Sequence, residues 1–158
     1  MQDFISGIGY AKRGGEHMNI QKFTQKSVQA VNELEKIAME YGNQEIEQEH
    51  LLYSLLTQEE SLIARLISKM NIDDTLFKEQ VEQALNKRVK VSGGQPYIGQ
   101  YLNKALISAE DEAKRMGDEY VSVEHLFLSL LDNPSPSMKE LFRENGITRD
   151  KFLQVLST

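Results

Sequence analysis

From Phe23 onward the chain repeats itself in one register, 75 positions apart. Glu49-His50-Leu51 returns as Glu124-His125-Leu126, and Ser54-Leu55-Leu56 as Ser129-Leu130-Leu131. Gln25, Ala30, Glu35, Ala38 and Gly42 return as Gln100, Ala105, Glu110, Ala113 and Gly117, and Leu66, Ile72 and Phe77 as Leu141, Ile147 and Phe152. No insertion interrupts the match, so chance is a poor explanation and a repeat architecture takes precedence over any other fold reading. One unit of roughly 60 to 65 residues has only a marginal core of its own. Two units packed face to face about an approximate two-fold axis solve that. The expectation is one all-α domain of two pseudo-two-fold related four-helix repeats.

Each repeat reads as four helices. In the first, Thr24 caps a helix running to about Tyr41, with Val28, Val31, Leu34, Ala38 and Tyr41 on one stripe. Gly42 supplies the left-handed residue that commonly stops a helix. Leu51, Leu52, Leu55 and Leu56 give a short, nearly all-apolar second helix, expected at the centre of the core. Ser61 caps a third helix carrying Leu62, Ile63, Leu66 and Ile67, and Asp73 a fourth carrying Leu76, Phe77, Val81 and Leu85. The second repeat uses Gly117 as the stop, Ser122 as a cap, and Pro136 in a first turn where its missing N–H costs nothing. Repeat one is placed at about 23–86, a Gly- and Pro-containing loop at 87–97, and repeat two at about 98–158. Residues 1–17 hold four glycines and no helical period, and read as a disordered or appended extension ahead of a domain at 18–158.

Composition removes several classes of function. No run approaches ~18 apolar residues, so no transmembrane helix is expected. With no cysteine there is neither a disulfide framework nor a thiolate metal site, and a reducing, cytoplasmic setting fits. Lys plus Arg is 18 against 24 Asp plus Glu, a net charge of −6, which argues against a nucleic-acid partner. Phosphate-loop and nucleophile-elbow motifs are absent. No pair of histidines sits at metal-ligand spacing, so no metal is expected.

Glu49-His50 and Glu124-His125 are the tempting acid–base pairs. Adjacent residues on a helix point about 100° apart, so each Glu faces away from its His. Both pairs fall in a first helical turn, where a carboxylate suits the helix dipole and a histidine can serve a cap. Helix-start chemistry and a repeated packing joint are therefore preferred to catalysis. Tyr101, Leu102, Leu106 and Ile107 cover more of their helix than one buried stripe needs. They either line an exposed groove or pack against the other repeat; the sequence leaves both open.

Two copies of a four-helix unit marked Glu-His-Leu followed by Leu-Leu, each after a helix ending in Gly, resemble the double Clp repeat that forms the amino-terminal domain of Clp AAA+ unfoldases. The resemblance spans Met18 to Thr158. Phe23-Thr24-Gln25-Lys26, Gly42-Asn43-Gln44-Glu45-Ile46-Glu47, Gln83-Ala84-Leu85-Asn86 and Val91-Ser92-Gly93-Gly94 look most like the ClpB branch. Val89 stands where that branch often has proline, and Glu-His in both repeats is shared with the ClpC branch. The resemblance implies a substrate-binding module, not an enzyme, tethered above a hexameric ATPase ring that handles unfolded or aggregated polypeptide. ATP would belong to modules outside this chain, and no cofactor to this part. The family's substrate-handling positions correspond to Thr24, Leu106, Asp118, Glu124 and His125. The ClpC alternative implies docking of an adaptor protein, or of phosphoarginine at Glu49 and Glu124.

Overall fold

The computed structural model describes residues 12–13, 16–17 and 19–158. Strand β1 (Lys12–Arg13) pairs antiparallel with β2 (Glu16–His17). The rest of the extension expected to be disordered lies outside the described residues. The remainder of the chain is helical, four helices to a repeat, with the first helix of repeat one split in two.

That split is local. Thr24 Oγ1 accepts the Ser27 N–H at 3.2 Å and starts α1 (Gln25–Asn32); the path resumes as α2 (Leu34–Glu40). Glu33 between them keeps helical angles, and its carbonyl still accepts the Ile37 N–H at 3.0 Å. Both repeats then stop their opening helix alike. Gly42 and Gly117 take φ of +71° and +74°, and the following Asn43 and Asp118 N–H groups reach back to the Ala38 and Ala113 carbonyls at 2.8 and 2.9 Å. This is the left-handed stop that only glycine reaches without strain.

Two residues of extended chain follow and exchange partners between repeats. Strand β3 (Glu45–Ile46) pairs in parallel with β4 (Tyr97–Ile98), placing Ile46 against Ile98. Subtracting the repeat spacing from Ile98 and adding it to Ile46 gives Phe23 and Val121, and these two also form a parallel bridge. Each repeat thus lends its entry segment to the other, which is the pseudo-two-fold axis written in backbone hydrogen bonds.

The Glu-His helices are α3 (Gln48–Thr57) and its counterpart α7 (Val123–Asp132), the latter following α6 (Gln100–Arg115). Leu51, Leu52 and Leu55 on one and Leu126, Phe127, Leu128 and Leu130 on the other are fully buried, as the apolar runs predicted. Ser54 Oγ donates to the Ala30 carbonyl at 2.7 Å and Ser129 Oγ to that of Ala105 at 2.6 Å. The repeated serines are therefore ties from the central helix to the opening one. Outside them lie α4 (Leu62–Lys69), α5 (Asp74–Asn86), α8 (Pro136–Glu144) and α9 (Arg149–Leu156), capped by Ser61, Asp73, Ser135 and Thr148.

One apolar core runs through both repeats. Phe77 and its counterpart Phe152 are both fully buried, and Phe127 stacks tilted on Phe152 with ring centres 4.6 Å apart. A fully buried carboxylate, Glu112, lies near the end of α6. It pairs with Arg149 at 2.9 Å and with Arg115, and Arg149 also meets Asp132 at 2.8 Å. Burial raises the Glu112 carboxyl above its usual range. This network ties α9 to the ends of α6 and α7.

Candidate functional site

The repeats meet along two seams, one at the start of each Glu-His helix. At the first, the Glu47 carboxylate accepts from three backbone N–H groups: Gln48 at 3.1 Å, and across the seam Tyr101 at 3.1 Å and Leu102 at 2.8 Å. One carboxylate caps two helices. It fits because the opposing cap position is Gly99, where a β-carbon would run into the Glu47 carboxylate. Burial pushes the Glu47 carboxyl up, against the pull of the bonds from Tyr101 and Leu102. Gln48 completes the closure. Its amide donates to the carbonyls of Tyr101 at 3.1 Å and Asn133 at 2.7 Å and accepts from Ser135 N–H at 2.8 Å.

At the second seam the counterparts of Glu47, Gln48 and Gly99 are Ser122, Val123 and Thr24. Here Thr24 caps its own helix, and Ser27 Oγ donates to the Val121 carbonyl at 2.7 Å. Among the described residues no long side chain hydrogen-bonds across it. What remains is an open cleft of about 500 Å³ lined by Thr24, Lys26, Glu60, Leu62, Arg65, Val123 and Glu124, among others. Beside the closed seam lies a space of about 320 Å³ lined largely by polar side chains, and beyond Glu49, Arg88 and Ser137 a second of about 630 Å³ opens between α5 and α8, so the seams differ in what crosses them rather than in the volume nearby.

The two repeated glutamates differ accordingly. Glu49 is almost fully buried, pairs with Arg88 at 2.9 Å, and accepts from Ser137 Oγ at 3.1 Å. Arg88 also holds Glu45 at 2.7 Å. Glu124 is half-buried in the open cleft and its carboxylate has, among the described residues, no hydrogen bond or ion pair.

Both histidines do helix-start work. His50 Nδ1 accepts the Glu47 backbone N–H at 2.9 Å and its Nε2 donates to Asn43 Oδ1 at 3.0 Å. His125 Nδ1 accepts from Ser122 N–H at 2.8 Å and its Nε2 donates to Asp118 Oδ2 at 2.8 Å. A backbone donor on Nδ1 fixes the Nε2–H tautomer in each. Burial, helped by the charge of Arg88, pushes His50 down to about 4. Neither imidazole reaches its adjacent glutamate, which agrees with the preference for helix-start chemistry over catalysis.

Of the sequence-predicted site residues, the structure brings Thr24 and Glu124 together in the open cleft. Asp118 and His125 pair with each other and are not among the residues lining it. Leu106 does not belong to a groove: it is fully buried, as is its counterpart Val31. Helix α6 packs on α7 and also on α3 of the other repeat, so a second apolar face is needed for burial rather than for binding. Glu47, Gln48, Lys26, Arg65, Arg88 and Val123 were not singled out from the sequence. For Glu47, Gln48 and Val123 the signal lay in the repeat itself, at the positions beside Glu-His where the two copies disagree; Lys26, Arg65 and Arg88 lie away from that motif and carried no such signal.

A double four-helix repeat with one closed and one open seam defines the class of fold. The match to the family described as "Clp repeat (R) N-terminal domain" spans residues 22–145, and the chain belongs to that family. It is 43% identical over 145 residues to the chaperone protein ClpB of Nitratidesulfovibrio vulgaris, covering 88% of this chain and 17% of that relative. It spans about one sixth of the curated relative's length. Among solved structures it resembles the Hsp104 N-terminal domain from Candida albicans, with a TM-score of 0.73 at 20% identity, covering 85% of this chain and 88% of that one. It also resembles a ClpV N-domain solved in complex with a VipB peptide, with a TM-score of 0.69 at 22% identity over 87% of this chain and 89% of that one. At these identities the likeness is one of fold.

Proposed function

We propose that this domain is the substrate-binding amino-terminal module of a ClpB-like ATP-dependent disaggregase, and that the open seam receives unfolded or aggregated polypeptide before it passes to the ATPase ring. The observation that carries the reading is the difference between the seams: the same joint is plugged by Glu47 and Gln48 on one side and left open around an unpartnered Glu124 on the other. Leu62, Val123 and the stem of Lys26 give the cleft apolar walls; Glu60 and Glu124 on one hand and Lys26 and Arg65 on the other give its rim charges of both signs. Unfolded chains expose apolar side chains together with charges of both signs, so such a surface selects them by composition rather than by sequence, with Glu124 the contact for their Lys and Arg. A ClpV domain of the same fold solved with a VipB peptide supports a role in holding polypeptide. ATP hydrolysis, the hexameric ring and a cytoplasmic setting belong in this reading to the whole protein. Several tethered copies would allow each cleft to bind weakly.

The adaptor and phosphoarginine alternative called on two equivalent glutamates. Glu49 is almost fully buried and already paired with Arg88, so the two glutamates are not equivalent and Glu124 is the one within reach of a cationic ligand. The test is fluorescence anisotropy of a labelled, reduced and alkylated unfolded protein against the domain. Glu124→Lys should weaken binding by about fivefold, the scale of one rim charge, while ATP turnover by the domain stays undetectable. Unchanged binding in Glu124→Lys, or clear ATPase activity, would overturn the reading.

A further inference from the structure

The geometry assigns Asp118 a positioning role: it holds the wall of the open cleft in place through His125, as a hydrogen-bond acceptor whose negative charge is dispensable. This rests on the reading of the cleft as the polypeptide site and says which residues shape it without touching the client. Asp118 lies immediately after Gly117, and its N–H bonds the Ala113 carbonyl at 2.9 Å, so the end of α6 fixes where its side chain starts. Its Oδ2 accepts from His125 Nε2 at 2.8 Å, and His125 Nδ1 in turn accepts the Ser122 N–H at 2.8 Å. Ser122 opens the segment that carries Val123 and Glu124 into the cleft. On its other side that segment is held by Val121, which bonds the Lys22 carbonyl at 2.7 Å and the Thr24 N–H at 2.9 Å. The wall is therefore clamped twice, once by the opposing repeat and once by the Asp118–His125 pair.

The closed seam shows that charge is not what the clamp requires. There the same chain runs from the Glu47 N–H through His50 to Asn43, at 2.9 and 3.0 Å, and the last acceptor is a neutral amide. Asn43 is fixed by the same helix stop, its N–H on the Ala38 carbonyl at 2.8 Å. Asp118 itself leaves 48% of its side chain exposed and is not among the residues lining the cleft. A direct electrostatic contact with cationic clients would need the carboxylate; a clamp needs only an acceptor oxygen.

The two roles separate in a pair of variants. Asp118→Asn should keep affinity for the reduced and alkylated unfolded protein within about twofold of wild type, whereas Asp118→Ala should lose about fivefold. Amide hydrogen exchange at Ser122 supplies a readout independent of any client: it should accelerate about tenfold in Asp118→Ala and stay unchanged in Asp118→Asn. If Asp118→Asn weakens binding as much as Asp118→Ala while Ser122 stays protected, the carboxylate contacts the client and the positioning role is wrong. Equal Ser122 exchange in all three proteins also overturns it. Failure of the cleft reading is seen separately, as unchanged binding in Glu124→Lys together with the expected exchange pattern.

Discussion

At the closed seam Glu47 and Gln48 make six hydrogen bonds to backbone groups, five of them across the seam or to the loop beyond it; at the open seam Ser122 and Val123 stand in their places and, among the described residues, no long side chain bonds across. The flanking architecture is common to both. Parallel bridges, histidine clamps, glycine stops and serine ties recur on each side of the axis. Duplication gives a module two equivalent joints, and changes at three neighbouring positions turn one into a lock and leave the other as a cleft. In the proposed reading function follows from where the symmetry is broken, so the informative experiments are those that restore or deepen the break.

The largest effect should come from residues that the seams share as foundation. Leu106 is fully buried between α6 and its neighbours, and Leu106→Ala should cost about 2–5 kcal/mol in chemical denaturation. Client affinity, measured well below the melting temperature, should be unaffected. Melting like wild type together with lost binding would return Leu106 to the site and undo the distinction between foundation and cleft.

A smaller effect is pH-dependent and belongs to the histidine clamp of the closed seam. His50 titrates at about 4 in the folded protein against 6.5 unfolded, so the unfolded chain takes up a proton that the folded ring refuses. Its contribution is fully present above about pH 6.5 and is lost as pH falls toward 4, on the order of 3 kcal/mol in all. Denaturation at several pH values should show that acid limb, and His50→Gln should flatten it whatever its offset at neutral pH. Parallel curves for the two proteins would contradict the burial of a neutral imidazole at the closed seam.

Much of this molecule could be read from local sequence. The caps at Thr24, Ser61 and Asp73, the stops at Gly42 and Gly117 and the burial of Leu51 to Leu55 are decided within a turn or two of chain. The repeat then supplied the pairing of the halves, which local patterns never contain. The break at Glu33 escaped because its neighbours keep helical angles, and β3 and β4 escaped because two residues carry no period. The site was less legible. Thr24 and Glu124 were named for it, but nothing local says that Glu47 caps a helix beginning more than fifty residues later, or that Arg88 returns to neutralise Glu49. Leu106 misled because an apolar surplus on one helix looks the same whether a second helix or a ligand covers it.

The smallest expected effect is also the most direct attempt to erase the difference between the seams. Gln48→Val gives the closed seam the residue found at the open one. It leaves the Tyr101 and Asn133 carbonyls and the Ser135 N–H without their partner in a part-buried setting. Water can reach some of them, so the loss should be about 1–2 kcal/mol rather than the sum of three bonds. The fold should survive, since Glu47 still caps both helices. With the amide gone, the space beside Tyr101 and Ser135 should widen and the closed seam should begin to admit polypeptide. Its affinity should stay below that of the open seam, because Arg88 still neutralises Glu49. Stoichiometry by titration calorimetry reads this: one site in wild type and a second, weaker one in Gln48→Val. If the variant loses stability and gains no site, the glutamine serves the fold alone, and the openness of the other seam must come from Thr24 and Ser122 rather than from the absence of a plug.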